Sequence, residues 1–144
     1  MKIENIQEEW NKDSGFTGNV SHDILKIPEL HNKYYKILTN ERLILKKYEA
    51  DMKILRKEKQ EFYIDGNTEE TLKKKWELPA KGRIIKTEVA PYLDSDSDII
   101  ELSLKIGMQI EKVDFVENII KHINNRGYLL RTFLDSEKFR NGVN

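Results

Sequence analysis

Cysteine is absent from the 144 residues, which excludes a disulfide framework, a thiolate metal site and a thiol nucleophile, and fits a reducing compartment. Three prolines and seven glycines are all the punctuation the chain has, too little for a loop-rich or low-complexity protein. No apolar run approaches the roughly 20 residues a membrane span needs, and the opening MKIENIQEEWNKD is too polar for a secretory signal. A soluble intracellular protein with no membrane partner is expected. An excess of charge of one sign is also missing. The 25 basic side chains equal the 25 acidic ones, so no overall field draws nucleic acid or membrane, and an electrostatic partner must be recognised by a local patch.

Catalytic signatures are lacking too. There is no GxxxxGK[ST] phosphate loop, no GxSxG elbow and no HExxH, and His22, His31 and His122 have no paired metal-ligand spacing. Carboxylate pairs are plentiful, but in a chain this acidic they carry no specificity. DSDSD, from Asp94 to Asp98, invites a calcium reading and fails it. With Asp94 in first position, the sixth, which needs glycine, is Ile99, and the twelfth, which needs glutamate, is Lys105. The expectation is a protein without enzymatic activity, cofactor or metal.

What is present is charge in an uneven order. From Arg42 to Lys86 there are thirteen basic residues against eight acidic; from Glu88 to Glu117 eight acidic residues face only Lys105 and Lys112. Basic and acidic faces of one domain, or of neighbouring subunits, attract each other, and such pairing explains the pattern without any ligand. The size suits a single domain, residues 1–144, with 1–86 as the N-terminal and basic part and 87–144 as a helical part for self-association.

The elements read as mainly α. Ile3, Ile6 and Trp10 mark a short amphipathic helix over residues 2–12, ended by DSGFTGN, and a second start follows at Ser21. Pro28 is expected to interrupt that segment. From about Asn32 to Tyr63 the positions Tyr34, Leu38, Glu41, Leu45, Tyr48, Met52, Leu55, Lys59 and Phe62 step by four and three, the spacing of a packed helical seam. Residues 99–110 are ambiguous, because Ile100, Leu102, Leu104, Ile106, Met108 and Ile110 alternate as in a strand. The four-three pattern of Ile99, Leu102, Ile106, Gln109, Val113, Val116, Ile120 and Ile123 runs further and favours one long helix to about Arg126. Asp98 and Glu101 suit a capping box at its start, and Gly127 permits a break before YLLRTFLDSEKFRNG.

On a helix advancing about 100° per residue, Arg42, Lys46, Lys53, Arg56 and Lys57 fall in roughly one quadrant beside the seam. This basic stripe suits a phosphate backbone, but it also suits plain solvation, which is the commoner state of charges beside an apolar helix face. Phe62 and Tyr63 follow it, then a DGN turn, then Lys73, Lys74, Lys75 and Trp76, then Lys81, Arg83 and Lys86. Alternating cations and aromatics are what single-stranded nucleic acid needs, since phosphates attract the former and bases stack on the latter. The competing reading, that the aromatics are core, is favoured for Phe62.

Three stretches, MKIENIQEEWNKD, EADMKILRKEKQEFYIDG and INNRGYLLRTFLDSEKFRNG, resemble in order and spacing the UvsY recombination mediator family of T4-like phages, over essentially the whole chain. That resemblance implies a ring-shaped homo-oligomer, hexameric or heptameric, in the cytoplasm of an infected bacterium. Its implied partners are single-stranded DNA, a RecA-like recombinase and the single-stranded DNA-binding protein whose strands the recombinase is to occupy. The family's DNA-binding determinants carry over to Arg56, Lys57 and Lys59, before Phe62, Tyr63 and Gly66, with Glu58 intervening. The C-terminal segment implies self-assembly, and Tyr128, Leu129, Leu130, Phe133, Leu134 and Phe139 form a tail that needs an apolar surface to dock on. The alternative is a helical scaffold oligomer that acts through protein contacts alone.

Overall fold

The computed structural model describes residues 1–142; the last two residues of the expected single domain lie outside the described residues. It is helical, with no strand among the described residues. α1 spans Ile3–Asp13, α2 Val20–Asp65, α3 Glu69–Lys73, α4 Val89–Asp94 and α5 Ser97–Arg140, and a 3₁₀ turn, Lys86–Glu88, leads into α4. The chain divides into two units. Met1–Leu43 and the segment from Ile110 onward make the first, and Ile44–Gln109 make the second. The boundary between 86 and 87 falls inside the second unit.

In the first unit α1 lays Ile6, fully buried, against the early part of α2, where Leu30, Tyr34 and Leu38 are buried. Trp10 meets Tyr34 edge-on with ring centroids 5.4 Å apart. Lys33 Nζ donates to Glu9 and Asp13 at 2.7 and 2.6 Å, and the Tyr34 hydroxyl donates to Asp13 at 2.8 Å. α2 begins where Asn19 accepts the N–H of His22 through its side chain, and buried Asp23 ties back the preceding loop by accepting from the Thr17 hydroxyl at 2.8 Å.

Pro28 does not interrupt α2, which runs through it for 46 residues. A proline inside a helix removes one backbone bond and crowds the previous turn, at a cost of about 3 kcal/mol. Leu30, Tyr34 and Leu38 stay on the core side only if the helix continues, and their burial offsets that cost.

α5 likewise continues through Gly127 to Arg140, so the expected break is absent. The reason is Leu130, 4% exposed, which extends the buried row of Val113, Val116, Ile119 and Ile123 by a further two turns. The ambiguous residues 99–110 are helix. Of the alternating residues that imitated a strand, Ile100, Leu104 and Met108 form an exposed row at intervals of four.

The second unit has its own core of Phe62, Tyr63, Ile84, Val89, Leu93 and Ile99, flanked by Met52, Leu55, Ile64, Trp76, Leu78 and Tyr92. Phe62 is a core residue, as expected, and so is Tyr63. α2 stops at Gly66, whose φ of +90° lies in the left-handed region and whose missing side chain makes room for Arg83, with Cδ 3.2 Å from where a Cβ would stand. The Ile84 N–H then bonds the Tyr63 carbonyl at 2.8 Å, which returns the loop to the helix end. α5 is capped by Asp96 rather than Asp98: one Asp96 oxygen accepts the N–H groups of Asp98 and Ile99 at 3.0 and 3.1 Å.

Candidate nucleic-acid interface

The second half of α2 turns Lys53, Arg56 and Lys57 away from the core that occupies its other side. Lys53, Arg56 and Lys57 are exposed and, with Gln60, Glu61, Ile64, Asp65 and Lys86, line an open cleft of about 590 Å³. Four cations and two carboxylates therefore share it. Arg56 also reaches Asp94 at 3.3 Å, an exposed pair worth little in water. Among the described residues Lys53, Lys57 and Lys86 have no ion-pair partner, so their charge is available to a ligand.

Helical spacing cannot connect Lys86 with the stripe, since it stands 29 positions after Lys57 in the sequence and only the returning loop brings it to the cleft. Lys46 is exposed on α2 outside the cleft lining. Arg42 belongs to the first unit and pairs there with Glu117 at 2.8 Å. Several cations of the basic stretch are thus taken up by intrachain acids, as the ligand-free reading of the charge pattern requires.

Lys59 departs most from its expected role. It is 3% exposed, with its ammonium 3.1 Å from Asp96 and 2.7 Å from Asp98 and 3.9 Å from the centre of the Trp76 ring. It lies on the apolar seam, where the four-three spacing had put it, and an ammonium buried there must be paired. It therefore has no face to offer a phosphate. DSDSD finds its use in the same cluster: Asp94 holds Arg56, and Asp96 and Asp98 hold Lys59. The buried Tyr63 hydroxyl donates to Asp96 at 2.6 Å. Burial by itself would raise the Asp96 pKa, but the hydrogen bonds from Tyr63, the Ile99 N–H and Lys59 together outweigh it and keep the carboxyl below its ordinary range. Burial, then the bond to Asp96, pushes the Tyr63 phenol well up.

Of the triple-lysine cluster, Lys73 and Lys75 are exposed. Lys74 bonds Glu58 at 3.2 Å and lies 4.9 Å from the centre of the Trp76 ring. Trp76 and Phe62, edge to face at 5.5 Å, wall a second groove of about 470 Å³ that shares Lys57, Glu61 and Asp65 with the first.

The tail residues separate into two kinds. Leu130 faces the core of the first unit and is no interface residue in the sense expected. Tyr128, Leu129, Phe133, Leu134 and Phe139 are exposed, Phe139 to 84%. At about 100° per residue these five spread around more than half of the helix, Tyr128 and Phe139 pointing one way and Leu129 and Phe133 another, and so much bare apolar side chain is rare on a monomer. Arg126 clamps the loop between α1 and α2. It donates to the carbonyls of Ser14 and Gly15 at 3.0 and 3.2 Å, with its guanidinium 4.3 Å from the centre of the Phe16 ring.

Comparison with known proteins adds two findings. The family described as "Recombination, repair and ssDNA binding protein UvsY" matches residues 9–143. Crystal structures of the bacteriophage T4 recombination mediator protein UvsY share the fold. Lattice type II gives a TM-score of 0.79 at 20% identity, covering 97% of this chain and 98% of that one. Lattice type IV gives 0.76 at 19% identity, covering 97% and 99%, and lattice type I gives 0.79 at 20%, covering 94% and 98%. No curated protein sequence matched.

Proposed function

Because this chain belongs to the UvsY family of recombination, repair and single-stranded DNA-binding proteins, we propose that it is a recombination mediator. In this reading it binds single-stranded DNA in the cationic cleft, assembles into a ring of six or seven copies, and helps a RecA-like recombinase occupy strands held by a single-stranded DNA-binding protein in the infected host's cytoplasm. The observation that carries the DNA site is the cleft itself, where Lys53, Arg56 and Lys57 of α2 converge with Lys86 of a distant segment. The exposed apolar tail supports the assembly.

The work needs no hydrolysis. Each subunit binds a strand modestly, and a ring multiplies the copies of the cleft so that effective concentration converts weak contacts into avidity. A strand held in the geometry of the ring is held less well by the competing DNA-binding protein, and that difference in affinity shifts the strand toward the recombinase.

Fluorescence anisotropy of a labelled oligothymidine across a salt series tests the DNA site. The double substitution Arg56→Ala and Lys57→Ala should weaken binding and reduce the slope of log affinity against log salt by about 1.4 per subunit engaged, at about 0.7 for each phosphate no longer neutralised. An unchanged slope moves the site to Lys73, Lys74 and Lys75. The second reading, a scaffold oligomer acting through protein contacts, is favoured by the intrachain pairing of Arg42 and Arg56. No binding at low salt would select it.

A further inference from the structure

The groove beside the cationic cleft is built differently from it. Phe62 forms part of its wall, and Trp76 presents the part of its ring that the core leaves uncovered. Its volume of about 470 Å³ lies in the range of sites that take small planar ligands. Trp76 is held in place on several sides. The buried Lys59 ammonium sits over the ring at 3.9 Å and is itself fixed by Asp96 and Asp98; Phe62 meets the indole edge-on.

The backbone that delivers Trp76 is also specified. At the end of α3, Lys75 takes a left-handed φ of 58°, the N–H of Trp76 returns to the Thr71 carbonyl, and that of Lys75 to the Leu72 carbonyl, the paired bonds of a Schellman turn. The cover over the ring is Lys74, an exposed side chain held by an exposed glutamate, Glu58. Such a pair yields readily to a ligand.

The two hollows share Lys57, Glu61 and Asp65. Carboxylates repel phosphate but accept hydrogen bonds from the N–H groups of base edges. The ridge between cleft and groove is therefore suited to the base side of a nucleotide, whereas Lys53, Arg56 and Lys86 on the far side suit the phosphate side.

We propose that the groove walled by Phe62 and Trp76 is a nucleobase pocket, in which one base of the strand stacks on Trp76 in place of the Lys74 ammonium while its phosphate lies in the adjoining cleft across Lys57. The proposal rests on the single-stranded DNA reading and goes beyond it in assigning the bases a place. The displaced Lys74 is then free to meet the next phosphate.

Full-length protein with Trp10→Phe tests this, because only two tryptophans exist and this conservative change leaves Trp76 as the sole emitter. Two labelled strands of equal length, oligothymidine and a base-free deoxyribose-phosphate strand, are titrated with this protein at low salt. Strand anisotropy and tryptophan emission are followed together. The expected result is that both strands bind, that oligothymidine alone quenches Trp76 to saturation, and that it binds at least about fivefold tighter, the lower bound for stacking one base. In the Trp76→Phe protein, where Trp10 is the only emitter, oligothymidine should bind without any emission change. Binding without quenching of Trp76, or equal affinity and equal quenching by the two strands, overturns the pocket and leaves DNA binding standing. Failure of both strands to bind overturns the DNA reading and the pocket with it.

Discussion

Lys59 shows how far one side chain's role depends on where its ammonium points. A lysine two positions from Lys57 has the same charge, yet its own Cβ faces the core of the second unit, and it holds Asp96, Asp98 and the Trp76 ring at once. Truncating it leaves Asp96 buried with less compensation, which for a buried pair costs about 3 kcal/mol. Lys59→Ala should therefore lower the urea midpoint strongly. Below that midpoint its salt slope for oligothymidine should remain that of the parent, in contrast to the double substitution at Arg56 and Lys57. A Lys59→Ala protein of parental stability with a flatter salt slope would instead make Lys59 a phosphate contact.

At the level of elements, the two ends of the short α3 differ in how well local energetics support them. Thr68 and Thr71 close a reciprocal cap at one end of α3, so that end is well made by sequence alone. At the other end a lysine occupies a left-handed position that usually belongs to glycine. Replacing it, Lys75→Gly, should stabilise the protein by about 1 kcal/mol, because the side chain is exposed and only the backbone strain changes. Urea unfolding at constant m value measures this. An unchanged or lowered midpoint would mean that the Lys75 side chain contributes as much as its backbone costs. The long helices display the opposite balance: α2 tolerates Pro28 and α5 tolerates Gly127 because the buried rows on either side belong to the same helix.

For the whole molecule, the proposed assembly is the property on which avidity would depend. Removing residues 128–144 would strip Leu130 from the core of the first unit and confuse lost assembly with lost folding. Tyr128 and Phe139 avoid this, being 68% and 84% exposed. Separated by eleven positions, about three helical turns, they share one face of α5. Tyr128→Asp with Phe139→Asp should leave helicity and melting temperature near the parental values while reducing the particle to monomers or small oligomers in sedimentation velocity, with DNA affinity falling through lost avidity. A full-sized particle from the double variant would show that the tail does not hold subunits together.

Helical class, the seam through Tyr34, Leu38 and Phe62, the short α1 and the cationic stripe at Lys53, Arg56 and Lys57 were all determined by the sequence alone. Each rests on composition or on a spacing of three and four, which is a local property of a helix and needs no knowledge of what the helix packs against. Tertiary structure alone decided that Lys59 is a core ion pair, that Lys86 joins the cleft, that Leu130 turns inward, that Arg126 clamps a loop and that Pro28 and Gly127 interrupt nothing. Those outcomes turn on partners separated by tens of residues, as Lys59 is from Asp96 and Arg126 from Ser14. A buried charge or a strained turn persists only when such distant groups compensate it, and no local pattern in the chain records which groups those are.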